Sequence, residues 1–326
     1  LPSAGHSFIQ PFQEFTMKLS HVALATACLS SLLASQVARA EALVALTTDQ
    51  KLLTFDSAAP SQGSPLTITG LGTDRLRAID LRPTTGQVYA LGINNNLYTL
   101  NTSTGAATLV AALSAEPADT SDTFTGLRGT AFGFDFNPVA DLSGAPSLRV
   151  VSNASENLRI AVSGPNAGQV ITDNTVRGGT LTIVASAYTN NDTSPATGTA
   201  LYGIDAASDS LYQQGLPTSG VQTLIGSLGV NTSAVAGFDI SAAGNAYAAL
   251  TNGDTGETGL YSISLTPGGN LATWIGAFGV GGAPVSSIIG LTALAPVPEP
   301  STWAMVLGGL VLVPMLRRRF AVARGH

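Results

Sequence analysis

The chain has 326 residues, 44% of them hydrophobic and only 10% charged, with a formal net charge of −6. Between Glu41 and Ala295 lie 18 acidic and 8 basic residues, a net of −10, which argues against nucleic acid or anionic lipid as partners because both need a basic face. All three histidines (His6, His21, His326) and the single cysteine, Cys28, fall outside that stretch, which excludes disulfides, His or Cys zinc sites, and Ser-His-Asp or Cys-His nucleophiles within it.

Residues 1–40 carry an address. Met17-Lys18, an apolar run from Val22 to Leu33 and Ala38-Arg39-Ala40 form a secretory signal, with cleavage expected after Ala40. Leu1–Thr16 then reads as an upstream extension, either from a misplaced gene start or as an unstructured leader. Ala25-Thr26-Ala27 before Cys28 faintly matches a lipoprotein site, but the leucine expected three residues before the cysteine is missing and the apolar run continues past it.

From residue 41 to 295 no helix-period stretch of useful length appears. Apolar runs of four to seven residues recur between Gly, Pro, Asn and Thr turns, an all-β pattern. Leu76–Leu113 is the clearest unit, with strands at 77–81, 87–91, 96–100 and 107–110. Second-strand counterparts are Ala42–Leu46, Leu148–Val151, Ala200–Ile204 and Ala246–Leu250, and third-strand counterparts are Lys51–Phe55, Asn157–Ile160, Ser210–Gln213 and Gly259–Ile263. The period falls in the range of propeller blades. The first unit lacks its first strand, and Ile288–Thr292 is a first strand with nothing after it. The expected fold is therefore a β-propeller of five four-stranded blades, 41–295, closed by a C-terminal strand pairing with the N-terminal blade.

The mature stretch resembles an exported bacterial family known as domain of unknown function 4394. The pieces that carry the resemblance are L-R-A-I-D-L-R-P-T-T-G-Q-V-Y-A-L from Leu76, F-G-F-D-F-N-P from Phe132, A-Y-T-N-N-D from Ala187, L-Y-G-I-D from Leu201 and V-A-G-F-D-I-S from Val235. The resemblance implies architecture and export, and no activity.

The first strands supply the candidate site. Ala78, Gly133, Ser186, Gly237 and Gly290 align at one small-residue position, and two residues on stand Asp80, Asp135, Tyr188, Asp239 and Thr292. Facing the axis, these five would form a ring of oxygens able to hold Ca²⁺, a hard cation that takes six to eight oxygen ligands. The competing expectation is that each aspartate bonds to backbone in a neighbouring strand. Arg77 and Arg128 precede or open first strands and are candidates for binding anionic sugars or a carboxylate; the alternative is pairing with Asp80, Asp135 or loop acids. Glu116, Glu156, Glu257 and the three aspartates are the general acid/base material. The strand tyrosines (Tyr89, Tyr98, Tyr202, Tyr212, Tyr247, Tyr261) read as blade packing, and Asn94–Asn96 and Asn190–Asp192 as turns.

Residues 296–326 carry a second address. Val297-Pro298-Glu299-Pro300 is followed by an apolar run, Trp303 to Leu316, and by Arg317-Arg318-Arg319. The run is short for a full transmembrane helix, and the arginines would hold it on the cytoplasmic side. This order resembles the PEP-CTERM sorting tail of Gram-negative bacteria. The resemblance implies Sec export, processing by exosortase, a transient inner-membrane anchor, and delivery to the cell surface or exopolysaccharide matrix. The function expected is a non-enzymatic binding or structural module; the alternative is a carboxylate glycosidase or lyase acting on that polymer.

Overall fold

The computed structural model describes residues 40–294 except 121, 193 and 195. The cleavage position Ala38, the sorting residues Val297–Pro300 and Arg317–Arg319, and the apolar run between them lie outside the described residues. Among the described residues no helix is long and apolar enough to cross a membrane.

Short alternating runs and tight turns give 23 strands among the described residues. They are β1 (Ala42–Thr47), β2 (Lys51–Asp56) and β3 (Ser64–Thr67); β4 (Leu76–Leu81), β5 (Val88–Gly92), β6 (Asn96–Leu100) and β7 (Ala107–Ala112); β8 (Ser114–Ala115), β9 (Phe132–Phe136), β10 (Ser147–Ser152), β11 (Asn157–Ala161) and β12 (Gln169–Thr172). There follow β13 (Ile183–Tyr188), β14 (Leu201–Asp205), β15 (Ser210–Gln214) and β16 (Gln222–Ser227); β17 (Thr232–Ile240), β18 (Ala246–Asn252), β19 (Thr258–Ile263) and β20 (Ala272–Ala277); and β21 (Gly279–Val280), β22 (Ala283–Pro284) and β23 (Ile288–Ala293). A five-residue helix, α1 (Pro138–Leu142), is capped by the Asn137 side chain, which accepts from the Ala140 amide.

The strands build five antiparallel blades. Blade I is β23-β1-β2-β3, blade II β4 to β7, blade III β9 to β12, blade IV β13 to β16 and blade V β17 to β20. β23 pairs with β1 from Leu43–Ala293 to Thr47–Ile288, so one blade is made from both ends of the ring. β23, β4, β9, β13 and β17 are the inner strands, each touching the next around the axis. Two additions were not expected from sequence: β8 pairs in parallel with the outer strand β12 of blade III, and β21–β22 form a separate hairpin.

The core is divided among the blade interfaces. Leu43 and Phe55 meet Tyr247 and Leu260 between V and I, and Val44 and Leu46 meet Ile79 and Val88 between I and II. Tyr89 and Leu91 meet Phe134 and Val150 between II and III, and Ile204 and Leu211 meet Phe238 and Leu250 between IV and V. The III–IV cluster is the smallest: Val151, Val176, Ile183, Tyr188 and Leu201. Close blade approach explains the small residues on the inner strands. A Cβ on Gly237 would lie 2.8 Å from the carbonyl carbon of Gly290 in the next blade.

The outer strands share a second device. In blades II, IV and V the register skips one residue where Tyr98 faces Leu109, Tyr212 faces Leu224 and Tyr261 faces Trp274. Such bulges bend an exposed edge away from edge-to-edge pairing.

Candidate functional site

An inner strand has no neighbour on its axial side, so its inward amides need other acceptors. The residues after the aligned oxygens supply such amides, and the preceding blade answers them. Asp239 Oδ2 of blade V accepts from the Ala293 amide of blade I at 2.5 Å. Thr292 Oγ1 of blade I accepts from the Leu81 amide of blade II at 3.0 Å, and donates to Asp80 Oδ1 at 3.1 Å. Asp80 Oδ2 of blade II accepts from the Phe136 amide of blade III at 2.8 Å. Three successive joints are thus stapled by one pattern, side-chain oxygen to the next blade's amide.

Blade IV interrupts it. In the other blades the amides of Arg82, Asn137, Ser241 and Leu294 bond to the carbonyls of Gln87, Ser147, Asn245 and Ala42, at or just before the start of the second strand; in blade IV the equivalent bond is Thr189 to Ala200. Counting back two residues, Asp80, Asp135, Asp239 and Thr292 correspond to Ala187, not Tyr188. The register shift between Ile183 and Ala185 recurs at the matching place in β4, between Leu76 and Ala78, and in β23, between Ile288 and Gly290, which supports Ala187 as the counterpart of Asp80 and Thr292. The expected ring of five oxygens therefore has four members. Tyr188 is fully buried and turns toward blade III, where its hydroxyl lies 3.5 Å from Arg149 Nε. With no side-chain oxygen from Ala187, the Ile240 amide is taken by Asp239 itself, Oδ1 at 2.6 Å.

Asp135 is left over. It is 1% exposed, and neither carboxylate oxygen has a hydrogen-bond partner. The Tyr188 backbone amide, its counterpart in blade IV, falls outside normal hydrogen-bond geometry and offsets only part of the cost of burying the charge. One oxygen each from Asp80, Asp135 and Asp239 lie within 4.8 Å of one another. Burial first, then the Asp239 charge, pushes Asp80 well above the usual carboxylate range, and burial with the charges of Asp80 and Asp239 does the same to Asp135. Burial raises Asp239 to about 6, against its backbone bonds to Ala293 and Ile240. At the C-terminal ends of the inner strands a cavity of about 40 Å³ is lined by Asp80, Asp239, Thr292, Asn191 and Ser241 among others.

A family model described as a domain of unknown function (DUF4394) matches residues 51–291. The chain belongs to that family. No curated protein matches the DUF4394 chain. Among solved structures, it is similar to a candidate 6-phosphogluconolactonase from Bacteroides uniformis (13% identity, TM-score 0.36, covering 77% of this chain and 73% of that one). It is similar also to a structural-genomics protein of unknown function from Bacteroides thetaiotaomicron (14%, 0.40, 74% and 63%). A chain of a nidogen–laminin complex gives 12%, 0.43, 78% and 86%. At these values the similarities assign no activity to the DUF4394 propeller.

The arginines stand apart from the axial oxygens. Among the described residues no ion pair involves Arg77 or an axial aspartate. Arg77 is half-buried in β4. Arg128 is exposed, its Nε 3.2 Å from Glu156 Oε1 and its amide 2.7 Å from Oε2. Both lie toward the N-terminal ends of the inner strands, away from the cavity. Arg82 pairs with Asp141, and Arg149 and Arg159 share Asp173, so the arginines that form ion pairs among the described residues serve other acids and not Asp80 or Asp135.

Sequence reasoning missed the buried polar network at the III–IV interface. Arg149 Nη1 donates to Asp173 Oδ2 at 2.6 Å and to Asn157 Oδ1 at 2.9 Å. Asn157 and Gln214 both donate to the Pro217 carbonyl, and Gln222 donates to Gln214. It missed Asp74 too, whose carboxylate accepts from the Arg75 and Asn94 amides, Asn96 Nδ2 and the Tyr98 hydroxyl. The signal for the network was Arg149, which stands where the other second strands carry Val44, Tyr89, Tyr202 and Tyr247.

Proposed function

We propose that the DUF4394 chain is an exported, non-enzymatic module of a Gram-negative cell surface or exopolysaccharide matrix. In this reading it is a rigid ring that binds polysaccharide or a surface protein through its loops. The observation that carries the non-enzymatic part is the sealing of the axial carboxylates. A glycosidase sets two carboxylates roughly 5–9.5 Å apart across a sugar, in a pocket of about 300–1,000 Å³. Here the three aspartates are at most 2% exposed, their oxygens lie within 4.8 Å, and the adjoining cavity is about 40 Å³. A sugar ring does not reach them. Glu156 is buried against Arg128 and Ser152, and Glu116 caps the Ala118 amide.

Export is supported by the sequence: a signal ending at Ala38-Arg39-Ala40, and Val297-Pro298-Glu299-Pro300 with Arg317–Arg319 as a tail suited to exosortase. A solvated acidic ring with few charged residues and no cysteine suits an extracellular life without disulfides.

Two measurements test this. Cells expressing the full chain should carry it at the surface or in the matrix, and removal of residues 297–319 should abolish that location; an unchanged distribution refutes the sorting role. Purified protein incubated with a panel of exopolysaccharides should bind without releasing new reducing or unsaturated ends. Release of either overturns the non-enzymatic reading in favour of a glycosidase or lyase.

A further inference from the structure

We propose that Asp80, Asp135 and Asp239 together bind one hard divalent cation, Ca²⁺, at the propeller axis. A cluster of acids alone would not support this, because Asp80 and Asp239 have an evident structural task. The decisive residue is Asp135. Its carboxylate is buried, points into the cluster and has neither oxygen partnered. The Tyr188 amide compensates it only in part, and a buried ionised carboxylate so poorly served costs far more than an ordinary buried polar group, so the position needs a positive charge or a proton. Among the described residues no arginine or lysine ion-pairs with it.

The spacing suits the ion. Oxygens bound to Ca²⁺ sit about 2.3–2.6 Å from it, so opposite ligands are separated by up to about 5 Å; the three carboxylate oxygens fall within 4.8 Å. The bonds that Asp80 and Asp239 already accept occupy one lone pair on each oxygen, and each oxygen has another. The cavity beside Asp80 and Asp239 is large enough for water, which would complete a sphere of six to eight oxygens. Asn191, which lines that cavity, has a buried carbonyl oxygen, Oδ1, without a partner. Glu41 adds negative charge nearby: it raises the Asp239 pKa, and its Oε2 is likewise buried and unpartnered. The chemistry is that of Ca²⁺ more than a transition metal, since every available ligand is oxygen.

The site does not depend on the binding role proposed above, and its test has a separate readout. The full chain is dialysed against chelator, then against calcium, and its metal content and melting temperature are measured. Expected are about one calcium per chain and a rise in melting temperature of roughly 5–10 °C at calcium about a hundredfold above the Kd. Asp135→Asn should stay folded and lose both the bound calcium and the shift, while Asp254→Asn, an exposed loop acid, should keep both. A wild-type chain that stays folded but retains no calcium overturns the proposal and leaves the cluster held by protons. So does an Asp135→Asn chain with an undiminished calcium response.

Discussion

The IV–V and III–IV interfaces do the same job by different means. Between IV and V the contact is apolar, with Ile204, Leu211, Phe238 and Leu250 buried together. Between III and IV the apolar cluster is small, and a buried network of Arg149, Asp173, Asn157 and Gln214 fills the remainder. The axial ring changes at the same place: Asp135 finds no amide of normal geometry, and Ala187 offers no oxygen. Apolar faces tolerate small slips of register because their attraction is non-directional. A polar face does not, because each buried donor needs its acceptor. At the III–IV interface Tyr188 turns onto Arg149, as Phe136 turns onto Tyr89 one blade earlier.

The comparison can be broken from either side. Asp173→Ala should have the largest effect. It strands Arg149, which is 3% exposed, and should cost about 3–5 kcal/mol in urea unfolding, because a buried charge that loses its partner is penalised heavily. Arg149→Met, which removes the charge as well, should cost less. Phe238→Ala at the apolar interface should cost a similar 3–5 kcal/mol through transfer and cavity formation. The two interfaces then differ in remedy: a conservative apolar swap such as Leu250→Met should cost less than about 1.5 kcal/mol.

Thr292→Val probes the stapled part of the ring. It keeps the shape and removes the hydroxyl that serves Leu81 and Asp80, leaving a buried amide unsatisfied at about 1–3 kcal/mol.

How much of this was legible in the sequence depended on what repeats. The Leu-Tyr pairs of third strands and the Thr-Leu-Val, Thr-Leu-Ile and Thr-Trp-Ile runs of outer strands mark four-stranded units, and the orphan strand at Ile288 foretells closure of the ring. Asp80, Asp135, Asp239 and Thr292 were legible as one position for the same reason. Tyr188 was misplaced by one residue because V-A-S-A-Y has no aspartate to anchor its alignment, and its only side-chain oxygens are those of Ser186 and Tyr188. Of the two expectations for the ring, the backbone bonds are seen at Asp80 and Asp239; a cation at the axis is the proposal above. The III–IV network stayed hidden because Arg149, Asp173 and Gln214 are far apart in sequence and meet only once two blades are packed.

A smaller effect concerns pH. The axial aspartates have folded-state pKa values raised above the unfolded value near 3.8, with Asp239 at about 6. The folded chain therefore holds more protons than the unfolded one, and stability falls as pH rises. In chelator the melting temperature should decline as pH is raised from about 4 through 6, and Asp135→Asn should flatten the decline. Asp49 behaves oppositely and more weakly. Its bond with Lys51 lowers its pKa to about 2, so its contribution is present above the unfolded value and is lost as pH falls toward 2. The pair is half exposed, and Asp49→Asn should cost under about 1 kcal/mol.

The most direct test sets two isosteric changes side by side in chelator, Asp80→Asn and Asp135→Asn, by equilibrium unfolding at neutral pH. Asp80 holds the Phe136 amide and the Thr292 hydroxyl, so its replacement should lower stability. Asp135 makes no hydrogen bond of normal geometry and its charge opposes those of its neighbours, so its replacement should leave stability unchanged or raise it. Equal losses in the two variants would show that Asp135 is a staple like the others, and would contradict an axis in which its carboxylate stands unpartnered.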